Sequence, residues 1–149
     1  MSAKFEKILV AYDGSKDAAK AVQLAASLCL KFDAELLVVH VFSSPTMALS
    51  AASGMPGPDY QVMEDAAKET AQKVLSRGLQ LASDSGARAE GELMEAPSVV
   101  EAIVNFAENQ KVDLIVVGTR GMTGFKKLIL GSVSSGLIGH AHCPVLVAR

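Results

Sequence analysis

Three glycines and a serine toward the end of the chain have the spacing of an anion site. Gly118 closes the apolar run Leu114-Ile115-Val116-Val117, Gly121 follows after two residues, and Gly131-Ser132 comes after nine more. Glycine lets backbone N–H groups approach a ligand with no Cβ in the way. Ser132 stands where a helix is expected to begin, and a helix N-terminus presents unpaired donors and the positive end of a dipole. The chemistry this suggests is a phosphate cradle. Neither of the two commoner phosphate motifs occurs: there is no Gly-x-Gly-x-x-Gly, and Lys126-Lys127 runs into Leu128 rather than Ser or Thr. A glycine-rich turn after a strand has the same spacing, so the cradle needs independent support.

Other groups that could do chemistry are few. Asp13 closes the run Lys7-Ile8-Leu9-Val10-Ala11-Tyr12 and could hold Mg²⁺ through the phosphate oxygens of a nucleotide. A lone carboxylate without an arranged base predicts slow hydrolysis at most. Arg120, Lys126 and Lys127 could steady phosphates or simply form a solvated face. His140, His142 and Cys143 invite a zinc reading. They span a helix end and a strand start, which opposes convergence, and a histidine at a helix C-terminus is favoured by the dipole alone.

Composition narrows the function classes. The chain has 149 residues and a formal net charge of -2, which gives no basic face for nucleic acid. Aromatic residues are 5% of the total, too few for a platform that stacks single-stranded bases. Cys29 and Cys143 make no disulfide framework and read as reduced thiols of a cytoplasmic protein. The first residues pass into a strand too soon for a signal peptide. Leu36 to Pro58 is free of formal charge, yet three prolines and two glycines interrupt it, so it is a strand and a loop, not a membrane span.

The elements that must position these groups follow from periodicity. Lys7 to Asp13 reads as a strand, and Ser15 as the N-cap of a helix whose Ala18, Val22, Ala25 and Cys29 share a face, widened by Leu28 and Phe32. Ala34 to Phe42 is a second strand. Ser43 to Pro58 is long for a loop in a compact domain, the length of a lid or of a variable segment. Asp59 then caps a long helix with Tyr60, Met63, Ala67, Ala71, Val74, Gly78 and Leu81 inward, a stripe better read as core than as a cofactor box, and Gly86 ends it. Arg88 to Met94 is a half-exposed strand suited to a sheet edge. Ser98 and Glu101 form a capping box before a helix burying Val100, Ile103, Val104 and Ala107. After the glycine stretch, Ser132 to about Ala141 is a helix with Val133, Leu137 and Ile138 inward, and Pro144 to Ala148 a last strand.

Five strands alternating with four helices imply a single domain, residues 1–149, with a parallel, doubly wound, Rossmann-like α/β sheet. In such sheets ligands bind beyond the C-terminal ends of the strands, where the strand order reverses. Asp13 and Gly118 each close a strand and so fall on that edge, which favours the cradle over a plain turn.

The chain resembles the universal stress protein family, and its ATP-binding branch in particular. The likeness rests on Ile8-Leu9-Val10-Ala11-Tyr12-Asp13-Gly14-Ser15, on Asp113-Leu114-Ile115-Val116-Val117-Gly118-Thr119-Arg120-Gly121, on Gly131-Ser132-Val133-Ser134 and on His142-Cys143-Pro144-Val145-Leu146-Val147. The resemblance implies strand order 3-2-1-4-5. It implies that Asp13 contacts the ribose or adenine end of ATP, that Ala11 lines the base, and that Val41 offers backbone groups to the adenine edge. It assigns ribose and phosphates to Gly118, Gly121, Gly131, Ser132 and Val133, and a homodimer contact to Val145 to Val147. Ala11 stands where the family often has proline, which alters adenine packing. The function expected is a nucleotide-dependent switch that shows a different surface to an unknown protein partner, with the loop Ser43 to Pro58 responding to ATP. Two other readings stay open: a slow metal-dependent adenine-nucleotide hydrolase, and a nucleotide-free structural or protein-binding dimer.

Overall fold

A computed structural model describes residues 4–44, 60–119 and 130–149. Strands β1 (Lys7–Ala11), β2 (Glu35–Phe42), β3 (Ala89–Glu95), β4 (Leu114–Gly118) and β5 (Val145–Ala148) alternate with helices α1 (Lys16–Phe32), α2 (Tyr60–Asp84), α3 (Val99–Asn109) and α4 (Ser132–His140). The strands form one sheet in the order β3-β2-β1-β4-β5, parallel throughout. This is the α/β architecture and strand order expected.

The sheet is central because its inner strands are apolar on both faces. Ile8, Val10, Leu36, Val38, Leu114 and Val116 pack with Ala18, Ala21, Val22, Ala25 and Cys29 of α1 and Ala82 of α2. Leu9, Leu37, Val39, Ile115 and Val117 pack on the other face with Ile103 and Ala107 of α3 and Leu137 of α4. One face thus carries α1 and α2, the other α3 and α4. Caps fix where the helices start: the Ser15 hydroxyl accepts from the Ala18 amide, and the Ser98 hydroxyl accepts from the Glu101 amide.

Three expectations are corrected. β1 stops at Ala11 rather than Asp13, although the Tyr12 amide still donates to the Val39 carbonyl, because Asp13 turns away to start α1. The stripe on α2 is buried only from Ala71 onward, at Ala71, Gly78 and Ala82, whereas Met63 is 43% and Val62 71% exposed. Length explains this. A helix of 25 residues runs about 37 Å, while the 8 residues of β2 run only about 26 Å, so the first turns stand beyond the sheet. On α4, Ile138 is 50% exposed, and the buried positions are Ser134 and Leu137. Asp59 and the loop from Pro45 to Pro58 lie outside the described residues.

β3 and β5 form the two edges, and they differ in charge. Glu90, Glu92 and Glu95 are exposed along β3, whereas β5 is Val-Leu-Val-Ala with no charged residue.

Candidate functional site

Strand order reverses between β1 and β4. β1 leads into α1 on one face of the sheet and β4 leads toward α4 on the other, so the connections part and leave a crevice above the strand ends.

On the β1 side the chain is fixed residue by residue. The Tyr12 ring is buried, and its amide donates to the Val39 carbonyl at 2.8 Å. Asp13 is exposed, and its Oδ1 accepts from the Ser15 amide at 2.9 Å. Gly14 between them has φ +88°, a left-handed conformation that side chains with a Cβ resist. On β2 the ladder with β1 ends at the pair Ala11–Val39. Backbone polar groups of residues two apart on a strand point the same way, so those of Val41 point past the end of β1, into the crevice.

On the β4 side, Thr119 joins four elements. Its amide donates to the Ala148 carbonyl of β5 at 2.9 Å, and its carbonyl accepts from the Gly131 amide at 2.6 Å. The Ser134 hydroxyl is shared between that carbonyl at 3.1 Å and the Gly131 carbonyl at 3.0 Å. The Thr119 hydroxyl donates to Asp17 Oδ2 at 2.6 Å, tying in the first turn of α1. Removing that hydroxyl at constant volume, as in Thr119→Val, is expected to cost about 1.5–2 kcal/mol in a urea denaturation.

The helix that starts here has Gly131 as its N-cap, with no side-chain hydrogen bond closing it. The amides of Ser132 and Val133 lie in its first turn, where an α-helix provides no internal acceptor.

Six expected residues therefore stand along one edge of the sheet. Ala11, Val41 and Val133 all belong to the apolar cluster on the α3/α4 face. Asp13 lies on the turn after β1, and Gly131 and Ser132 open α4. Gly118 is also at this edge, but it has a packing reason of its own: a Cβ there would stand 2.7 Å from the Asp17 carbonyl carbon. Gly121, Arg120, Lys126 and Lys127 fall outside the described residues.

Sequence reasoning missed three residues. In the sequence Asp17 is only an acidic residue near the start of a helix, and Thr119 is one position inside the stretch Asp113 to Gly121. His40 continues the inward row Leu36, Val38, and a polar residue at that place in the alternation was the available signal. Its Nδ1–H donates to the Tyr12 carbonyl at 2.9 Å. Burial lowers its pKa below the usual histidine value, opposed by that hydrogen bond and by the negative charge of Asp13.

Other reactive candidates are quiet. Burial pushes the Cys29 thiol up to about 11. The Cys143 thiol is raised by burial first and then by the charge of Asp113, so neither favours the nucleophilic thiolate. Among the described residues, which include His140, His142 and Cys143, no three His, Cys, Asp or Glu side chains are grouped to hold a metal ion. Among the same residues no helix is long and apolar enough to cross a membrane.

The chain is thus a doubly wound parallel α/β domain whose strand order reverses between β1 and β4, the kind of place where such sheets bind ligands. The chain belongs to the universal stress protein family, which it matches over residues 4–149. A universal stress protein of Methanocaldococcus jannaschii is 36% identical over 146 residues, covering 97% of this chain and 82% of the relative. The structure of the universal stress protein UspA from Lactobacillus plantarum superposes with a TM-score of 0.78 at 24% identity, over 99% of this chain and 100% of that one. That of the Archaeoglobus fulgidus universal stress protein in complex with dAMP gives a TM-score of 0.68 at 22% identity, over 99% and 100% of the two chains.

Proposed function

We propose that this protein binds adenine nucleotide, ATP foremost, and acts as a nucleotide-dependent binding module rather than as an enzyme. The observation that carries the reading is the start of α4: its N-cap, Gly131, supplies no side-chain hydrogen bond, and the helix opens where β1 and β4 part. An anion is the complement of such a helix start. The complex of the Archaeoglobus relative with dAMP supports adenine nucleotide as the class of anion.

In this reading Ser132, Val133, Gly131 and Gly118, with Gly121, hold ribose and phosphates. Val41 gives its backbone groups to the adenine edge, Ala11 lines the base, and Asp13 takes the ribose end. The exposed carboxylate of Asp13 also suits Mg²⁺ carried on the phosphates. Occupancy would change the surface around the crevice and so what a protein partner meets. Two free cysteines, Cys29 and Cys143, fit a cytoplasmic protein.

The test is thermodynamic. ATP at a hundred times its dissociation constant should stabilise the fold by about 2.7 kcal/mol, and acid extraction of the purified protein should release adenine nucleotide onto an anion-exchange column. A melting curve unmoved by millimolar ATP with Mg²⁺ would remove the proposal.

The same reading includes a homodimer through β5. That edge is uncharged, Leu146 on it is 36% exposed, and the opposite edge is guarded by glutamates. Unpaired strand edges without charge invite pairing, and charge discourages it. Leu146→Glu is expected to halve the mass seen by analytical ultracentrifugation while the far-UV circular dichroism stays unchanged.

A further inference from the structure

The Tyr12–His40 hydrogen bond lies between two residues to which the proposed function gives ligand contacts. Asp13 follows Tyr12 on the β1 tip, and Val41 follows His40 on the β2 tip. The regular ladder has ended by then, at Ala11–Val39. Beyond it the two tips are joined by the Tyr12 amide on the Val39 carbonyl at 2.8 Å and by His40 Nδ1 on the Tyr12 carbonyl at 2.9 Å. A side chain thus takes the place of the next backbone donor. Because a carbonyl only accepts, the imidazole must carry its proton on Nδ1 here.

From this juxtaposition we infer that His40 is a positioning residue of the nucleotide site, setting the spacing between Asp13 and the Val41 backbone. This rests on the nucleotide reading above and adds a residue to it.

The consequences run along the turn. With the Tyr12 peptide held at its amide, its carbonyl and its buried ring, the next residue has little freedom. A Cβ on Gly78 of α2 would lie 2.9 Å from the Tyr12 ring, so the ring is closely packed. Asp13 then accepts from Ser15, and Ser15 from Ala18 at 3.1 Å, which carries the constraint into α1. Loss of the His40 donor leaves the carbonyl of Tyr12 without it and lets the turn pivot about Gly14.

Three substitutions test this. His40→Asn keeps an N–H at the position of Nδ1, His40→Gln places one an atom further out, and His40→Leu has none. Two readouts are taken: affinity for ATP by calorimetry, and hydrogen exchange of the Ser15 amide, with the Val116 amide as a monitor of global unfolding. His40→Leu and His40→Gln are expected to bind ATP about tenfold more weakly and to exchange Ser15 about tenfold faster at unchanged Val116 protection. His40→Asn should restore both to within about threefold. Wild-type exchange at Ser15 in His40→Leu, or ATP affinity that does not follow the Asn rescue, overturns the inference. Should the wild-type protein bind no ATP, the nucleotide reading falls and takes the site role of His40 with it, whereas the exchange data still report whether His40 holds the turn.

Discussion

Gly118→Val is expected to lower the unfolding free energy by about 3 kcal/mol, and Gly118→Ala by about 2. The reason is contact with backbone rather than conformation. A Cβ on Gly118 would stand 2.7 Å from the carbonyl carbon of Asp17, 2.9 Å from its carbonyl oxygen and 2.9 Å from its Cβ. No rotamer change relieves a clash with main chain, so the first turn of α1 must move off β4. That movement also strains the Thr119–Asp17 hydrogen bond of 2.6 Å. For a protein of this size a loss of about 3 kcal/mol lowers Tm by roughly 6–12 °C. A Gly118→Val protein melting within a degree or two of wild type would show that α1 does not rest on this residue as described.

Gly131→Val should behave in the opposite way. The φ of Gly131 is -66° and its ψ 164°, values any residue adopts, and the amide that bonds the Thr119 carbonyl is kept. Replacing an N-cap glycine by valine costs about 1 kcal/mol. The ligand effect is larger: if the protein binds ATP as proposed, ATP at a hundred times its dissociation constant adds roughly 2.7 kcal/mol to the wild type. In Gly131→Val that gain should vanish, because the new side chain would stand over the opening amides of α4. Two glycines of one motif are thereby separated, one by its effect on the apoprotein and the other by its effect on ligand-induced stability. Measuring Tm with and without ATP for both variants checks this, and full ATP stabilisation of Gly131→Val would contradict the placement of phosphate at α4.

The contrast shows what the sequence made legible. Local signals carried well: the apolar runs Ile8 to Val10 and Leu114 to Val117 are fully buried strands, and Ser15 and Ser98 cap the helices they were expected to cap. Periodicity gives the direction a helix faces but not how much sheet lies beneath it, which is why Met63 was placed inside and is not. Ile138 fails for a different reason: Val133, Leu137 and Ala141 meet the core at intervals of four, and Ile138 sits to one side of that line. Contacts between distant segments were out of reach. Asp113, read as part of the motif before Gly118, takes the Glu6 and Lys7 amides on its Oδ2 at 2.8 and 2.9 Å. It therefore fastens the start of β1, at the edge of the sheet away from the candidate site. Asp17 with Thr119 and His40 with Tyr12 are likewise bonds between elements far apart in the chain, and no window of a dozen residues contains both partners.

The unequal margins of the sheet have a consequence for assembly. Joining two molecules along β5 consumes that margin in both, and what then faces outward at either end is β3 with Glu90, Glu92 and Glu95. Like charges brought strand to strand repel, so two such pairs would not join β3 to β3, and with both β5 edges consumed the proposed pair has only charged rims left. In the proposed dimer, three glutamates at one border would thus limit how large the particle can become.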